Sequence, residues 1–143
     1  MAFCERLSEQ LAVVATIDPQ AGGTTAHTSD NFSMSLHRRA LFILQTGAGT
    51  AGNTVAIQEG TVNFTAGTAT ILSAAATAVA TANSQWLYEV SAEAMAAGLT
   101  HLRAVVTSVG ADLISLVALA DVERYHPASD RDLATVQLIQ AAN

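Results

Sequence analysis

Apolar and polar residues alternate with a period of two along much of the chain. Phe32, Met34 and Leu36 alternate with Ser33, Ser35 and His37. Val55 and Ile57 alternate within residues 54–58, and Val62 and Phe64 form a further pair. Trp86, Tyr88 and Val90 share one phase, Leu87 and Glu89 the other. Leu102, Ala104 and Val106 repeat the pattern within residues 101–108. Successive strand side chains point to opposite faces, so each segment predicts a strand with one buried face. Two runs are continuous instead. Residues 40–44 read as a strand covered on both sides, and residues 113–120, the most apolar run, as a central strand. Residues 11–17 are apolar and rich in β-branched side chains and end at Asp18-Pro19, which predicts a short strand or an extended arm.

The segments between are punctuation. Residues 20–30 read as a loop by composition, and residues 47–53 and 109–112 as turns. Residues 68–82 are rich in Ala and Thr without an apolar stripe and read as loop and strand. Residues 91–98 predict one compact helical turn, with Ser91 as its cap and Gly98 ending it in the left-handed conformation. After Pro127, Ser129 and Asp132 match a capping box, and Leu133, Val136 and Ile139 follow at helical spacing. Residues 130–141 thus predict a small amphipathic helix that packs either on its own domain or on a neighbouring subunit.

These elements predict an all-β protein: an antiparallel β-sandwich or jelly-roll-like body of about seven or eight strands, with one short helix and extended terminal arms. An up-and-down barrel is the alternative. The expected division is an N-terminal arm over residues 1–12, a body over 13–125 and a C-terminal tail over 126–143.

Composition shifts attention from a site to a surface. Charged residues make up 13% of the 143, and there is no lysine: Arg6, Arg38, Arg39, Arg103, Arg124 and Arg131 are the only strong cations. A surface made of Thr, Ser, Asn, Gln, Gly and Ala can be buried against a partner without desolvating many ions. The net charge of −6 argues against a nucleic-acid partner, which demands clustered basic residues. No run of 18 apolar residues suggests a membrane span. Residues 1–10 lack the apolar core of a signal peptide, so a cytoplasmic origin is expected. Cys4, alone, makes neither an intrachain disulfide nor a four-cysteine zinc site.

Motifs for catalysis or cofactors do not assemble. His27, His37, His101 and His126 have no i, i+4 pair, and His37 and His101 fall on the outward phase of their expected strands. Gly47, Gly49 and Gly52 spell G-x-G-x-x-G, but no helix is expected after them and no lysine exists to meet a phosphate, so a hairpin turn is expected. The acids Glu59, Glu89, Glu93, Asp112, Asp121 and Glu123 are scattered. Trp86 and Tyr88 would form a carbohydrate platform if exposed, but they share the inward phase of Val90. The expectation is a non-enzyme without metal or cofactor. A carbohydrate-binding jelly-roll module and a small cupin-like metal enzyme are the competing classes.

Four segments read in order carry a resemblance. They are residues 14–19 (Val-Ala-Thr-Ile-Asp-Pro), residues 39–47 with 55–59 after a Gly/Ala/Thr turn, residues 89–93 with 98–107, and residues 124–129 with 132–134. Together they resemble the small capsid decoration, or cement, proteins of tailed bacteriophages and prophages. The resemblance implies a structural virion protein, made in the bacterial host cytoplasm and placed on the capsid surface. It would bind the outside of the major capsid protein lattice as a homotrimer or homodimer and stabilise the head. Tail and neck structural proteins of phages share such strand patterns and are the nearest alternative.

Such a protein would work by reach and multiplicity. A lattice turns modest affinity per site into strong attachment, and ten extended residues span about 33 Å. The docking candidates are Leu7, Leu11, Val13 and Val14 at one end and Leu133, Val136, Leu138 and Ile139 at the other. Arg6, Arg124 and Arg131 are candidate anchors, because a guanidinium pairs bidentately with a carboxylate and is weakly hydrated.

Overall fold

The computed structural model describes residues 10–49, 53–64, 69–70, 77–79 and 83–121, with 69–70 and 77–79 described by backbone alone. Among them run ten strand segments: β1 (Ala12–Gly23), β2 (Ala26–Thr28), β3 (Phe32–Ser33), β4 (Arg39–Thr46), β5 (Asn53–Gly60), β6 (Ala69–Thr70), β7 (Thr77–Val79), β8 (Ser84–Ser91), β9 (His101–Thr107) and β10 (Gly110–Ala120). A single 3-10 turn (Ala92–Ala94) joins β8 to β9.

All ladders are antiparallel and fall into two sheets. The first has the order β1-β10-β4-β8. In the second, β9 and β5 are central; β2 and β3 share one edge of β9, while β6 and β7 share the far edge of β5. If each broken edge is taken as one strand, both sheets are four strands wide. The pairings then nest: β1 with β10, β2/β3 with β9, β4 with β8, β5 with β6/β7. This is a long antiparallel hairpin wrapped into two facing sheets, the jelly-roll arrangement. The expected all-β sandwich is present, built from more and shorter segments than the alternation suggests.

The core lies between the sheets. Phe42 and Leu44 of β4 and Ile114 and Leu116 of β10 project inward from the first sheet. Val55, Ile57, Leu102 and Val106 meet them from the second. Phe42 is fully buried, and its ring centroid lies 5.9 Å from that of Phe32. Ala40, Ala104, Ala118 and Ala120 fill the narrow places between these larger side chains. Each large apolar side chain buried this way contributes roughly 1.5–3 kcal/mol.

Several expectations are corrected. β1 does not stop at Pro19 but continues to Gly23, and β2 lies inside the expected 20–30 loop. Proline is tolerated because β1 is an edge strand and its register with β10 slips between Ile17 and Gln20. A second slip, between Val13 and Ala15, is a bulge that turns both Val14 and Ala15 inward. The alternating run at 32–36 is a strand only at Phe32–Ser33; a turn follows, and Leu36 is exposed. β4 is not covered on both sides, since Leu41 and Ile43 on its outer face are half-buried. The Gly47 turn carries the chain from one sheet to the other and is no hairpin. Ser91 makes no side-chain cap; the Ala92 N–H donates to the Arg38 carbonyl at 2.8 Å, and the Ala96 N–H to the buried Glu59 carboxylate at 2.9 Å. Gly98 does adopt the left-handed conformation, with φ of 86°. The described body runs from Ala12 to Ala120, and the tail and its expected helix over 130–141 lie outside the described residues.

Candidate docking surfaces

The two outer faces of the sandwich differ in chemistry. On the first sheet the register aligns outward side chains into rows across the strands. One row runs Leu87, Ile43, Val117, Thr16; the next runs Glu89, Leu41, Leu119, Val13. A third brings Gln85, Gln45 and Ser115 together, and the Ser115 hydroxyl donates to Gln45 at 3.2 Å. Six of these eleven side chains are large and apolar. Leu87 is 65% exposed, and Leu113, further along β10 in the same phase, is 54% exposed. Within the rows the only charge is Glu89, which pairs with the neighbouring Arg39 at 3.3 Å; Asp18, exposed on the edge strand β1, stands at the margin beyond Thr16.

The second sheet presents a wet face. Outward side chains there are His101, Arg103, Val105 and Thr107 on β9 and Thr54, Ala56 and Gln58 on β5. Arg103 donates to the Gln58 side chain at 2.9 Å, and its guanidinium lies 4.2 Å from the Phe64 ring centroid. Both cross-strand hydrogen bonding and a cation–π contact hold this arginine in place. The outer faces are thus one apolar and one polar.

The third surface is the pole where β1 begins and β10 ends. Ala12 pairs with Ala120, so the segments preceding β1 and following β10 leave side by side from one end of the first sheet. Asp121 closes this pole. Its Oδ1 accepts the backbone N–H groups of Arg38 at 2.7 Å and Arg39 at 3.1 Å, and its own N–H donates to the Arg39 carbonyl at 3.0 Å. The His37 ring, nearly fully buried, donates from Nδ1 to the Asp121 carbonyl at 2.7 Å. That overturns the outward placement expected for His37: it lies in the turn before β4 and is held by a residue 84 positions away. An open cleft of about 830 Å³ lies here, bordered by Met34, Arg38, Ser91, Glu93 and Asp121.

The sequence-derived docking candidates divide. Val14 belongs to the core, which removes it from the exposed set; the bulge that buries it leaves no trace in composition. Leu11 and Val13 are half-buried, and Val13 faces outward with the apolar rows. Arg6, Leu7, Arg124, Arg131, Leu133, Val136, Leu138 and Ile139 lie outside the described residues. The residues missed at first are Leu41, Ile43, Leu87, Val117 and Leu119. Their signal was present as apolar side chains in the phase opposite to the core, on three adjacent strands.

Two of the histidines weighed for chemistry have structural partners. His27 donates from Nε2 to the Gly22 carbonyl at 2.6 Å, and His101 Nδ1 hydrogen-bonds with the Thr100 hydroxyl at 2.9 Å. Among the described residues no group of three or more His, Cys, Asp and Glu side chains is placed to hold a metal ion. Trp86 and Tyr88 pack against the core, so they offer no exposed platform for a sugar ring. Their polar atoms, Trp86 Nε1 and Tyr88 Oη, are buried without a hydrogen-bond partner among the described residues, and burial pushes the Tyr88 hydroxyl above its ordinary pKa. No helix among the described residues is long and apolar enough to cross a membrane.

Neither a family model, nor a curated protein, nor a solved structure matches the chain.

Proposed function

We propose that this is a non-enzymatic structural protein of a tailed-phage or prophage virion, bound as a homo-oligomer to the outside of the major capsid protein lattice, where it stabilises the head. The observation that carries the reading is the pairing of Ala12 with Ala120. Both terminal segments depart from one pole of a rigid body, so both can engage the same surface beneath it. A body anchored at one pole leaves its side faces to solvent or to neighbours. Ordering two arms costs conformational entropy, which apolar burial on docking offsets. The sequence places Leu7, Leu133, Val136, Leu138 and Ile139 in those segments. Repetition over a lattice then multiplies a modest gain per copy. The jelly-roll body, the scarcity of charge and the sequence resemblance support this role.

The test is occupancy. Variants lacking residues 1–10 or 122–143 keep the whole described sandwich, so binding to purified, expanded heads isolates the arms. Loss of occupancy in either is expected. Full occupancy with both truncations overturns the arm-clamp mechanism.

A further inference from the structure

We propose that the apolar outer face of the β1-β10-β4-β8 sheet is the contact between two copies of this chain, packed face to face about a two-fold axis. The inference is independent of the capsid reading, because it concerns the purified protein.

Three observations carry it. First, the face is apolar over a continuous area: Leu87, Ile43 and Val117 form one row, and Leu41, Leu119 and Val13 the next. Four strands about 4.8 Å apart, with outward residues from 113 to 119 on β10, give a flat footprint of roughly 500 Å². Side-chain relief raises the accessible area toward the ~800 Å² per partner of a standard interface. The apolar rows within that footprint match the largest patch of a typical monomer, about 300–600 Å², which is often functional. Second, the face suits a copy of itself electrostatically. The protein carries a net charge of −6, so two copies repel wherever their acids meet. Within these rows Glu89 is the single acid, and Arg39 neutralises it at 3.3 Å; Asp18 is exposed at the β1 margin, outside the apolar rows. A strongly cationic partner would find no field to recognise there. Third, the geometry is that of a sheet able to stack. Branched Leu, Ile and Val side chains on a regular register interdigitate with an equivalent face about 10 Å away, as the inner faces of a sandwich do. A two-fold arrangement sets the same rows against each other and closes, leaving no apolar surface to propagate a fibre.

The opposite face supplies the control. Its outward residues include His101, Arg103, Gln58 and Thr107, and burying them would desolvate a guanidinium already engaged by Gln58 and Phe64.

The experiment is sedimentation equilibrium of the full chain across a wide concentration range, with light scattering alongside. The expected mass is twice 14.7 kDa. Leu87→Glu puts an unpaired carboxylate from each copy into the apolar contact and is expected to weaken dimerisation by about tenfold or more. Leu87 is 65% exposed, so the fold should survive, as judged by circular dichroism. If Leu87→Glu does not fold, Leu87→Ser is measured instead, with the same direction expected. Thr107→Glu, on the polar face, should leave the mass unchanged. A monomer at every concentration, a cyclic trimer, or a dimer indifferent to the Leu87 substitution overturns the proposal. So does a monomer that dimerises only when residues 122–143 are removed, since the chain's own segment would then be what covers the face.

Discussion

The Asp121 carboxylate accepts the backbone N–H of Arg38 at 2.7 Å, fastening the end of β10 to the entrance of β4. The same oxygen takes the Arg39 N–H at 3.1 Å, so one side chain satisfies two main-chain donors at the pole from which the terminal segments leave. Asp121→Ala leaves both donors without it and is expected to cost about 1–3 kcal/mol. Asp121→Asn keeps an accepting oxygen and should cost less. Urea denaturation gives the energies. Hydrogen exchange should show the Arg38 and Arg39 amides accelerated in the Ala variant before the core amides respond. An Ala variant as stable as the parent would remove Asp121 from the architecture of the pole.

Phe42 and Leu87 sit on adjacent strands of one sheet, on opposite faces, and substitutions there should separate core from surface. Phe42 is fully buried and packs against Phe32. Phe42→Ala should cost about 3–5 kcal/mol, by lost transfer energy and an unfilled cavity. Leu87→Ala, at 65% exposure, should change the stability of the monomer by no more than about 0.5 kcal/mol. Thermal melts at low protein concentration make the comparison. A large loss at Leu87 under those conditions would mean that its side chain belongs to the monomer's packing.

The parts of this fold legible in the sequence are those where period two survives. β8 and β9 follow their alternation, and the inward sets Trp86-Tyr88-Val90 and Leu102-Ala104-Val106 are as expected; β10, read as a continuous apolar run, is the inner strand between β1 and β4. β1 was harder to read, because the bulge at Val14 and the slip around Pro19 each reset the phase. β2 has the sequence Ala-His-Thr, with no apolar pattern, and exists because Val105, Val106 and Thr107 offer a ladder to pair with. His37 is buried by a bond to Asp121, a contact no local window contains. The deeper omission concerns Leu41 and Ile43. A continuous apolar run predicts cover on both faces, yet the described residues leave the outer face half-open. Sequence shows that a side chain is apolar, but only the sheet order shows that Leu87, Ile43 and Val117 lie in one row.

Gly49 approaches β10 more closely than a side chain allows. A Cβ there would lie 2.6 Å from Asp112 Cα and would also overlap the Asp112 carboxylate. Asp112 is itself buried, so it has little room to retreat. Gly49→Ala is therefore expected to destabilise by about 1–3 kcal/mol, the usual cost of overpacking. In contrast, Gly23→Ala meets no side chain or backbone closely but must hold φ of 61°, so its cost is conformational alone. Chemical denaturation of both variants separates close approach from backbone strain. A neutral Gly49→Ala would show that the β4–β5 crossing relaxes freely.

Tyr88 predicts how the protein responds to alkali. Its hydroxyl is buried without a partner among the described residues, and burial raises its pKa above the ordinary 10.0, because the phenolate is poorly solvated there. The folded state therefore holds its proton at a pH where the unfolded chain releases it. Below pH 10 both states are protonated and Tyr88 contributes no pH dependence. Above it the unfolded state binds fewer protons, so stability falls as pH rises through the folded-state value. Tyr88→Phe removes this liability: the parent should lose more stability than the variant as the pH is raised above 10, as read by denaturation midpoints over roughly the first unit on the alkaline side of the phenol's ordinary value. At pH 7 the same substitution deletes a hydroxyl that has no bond among the described residues and should be neutral or slightly stabilising. Ultraviolet titration of the phenolate should show Tyr88 ionising above the free-phenol range in the folded parent. A Tyr88→Phe variant that is clearly destabilised at pH 7 would mean that the hydroxyl makes a bond in the folded protein.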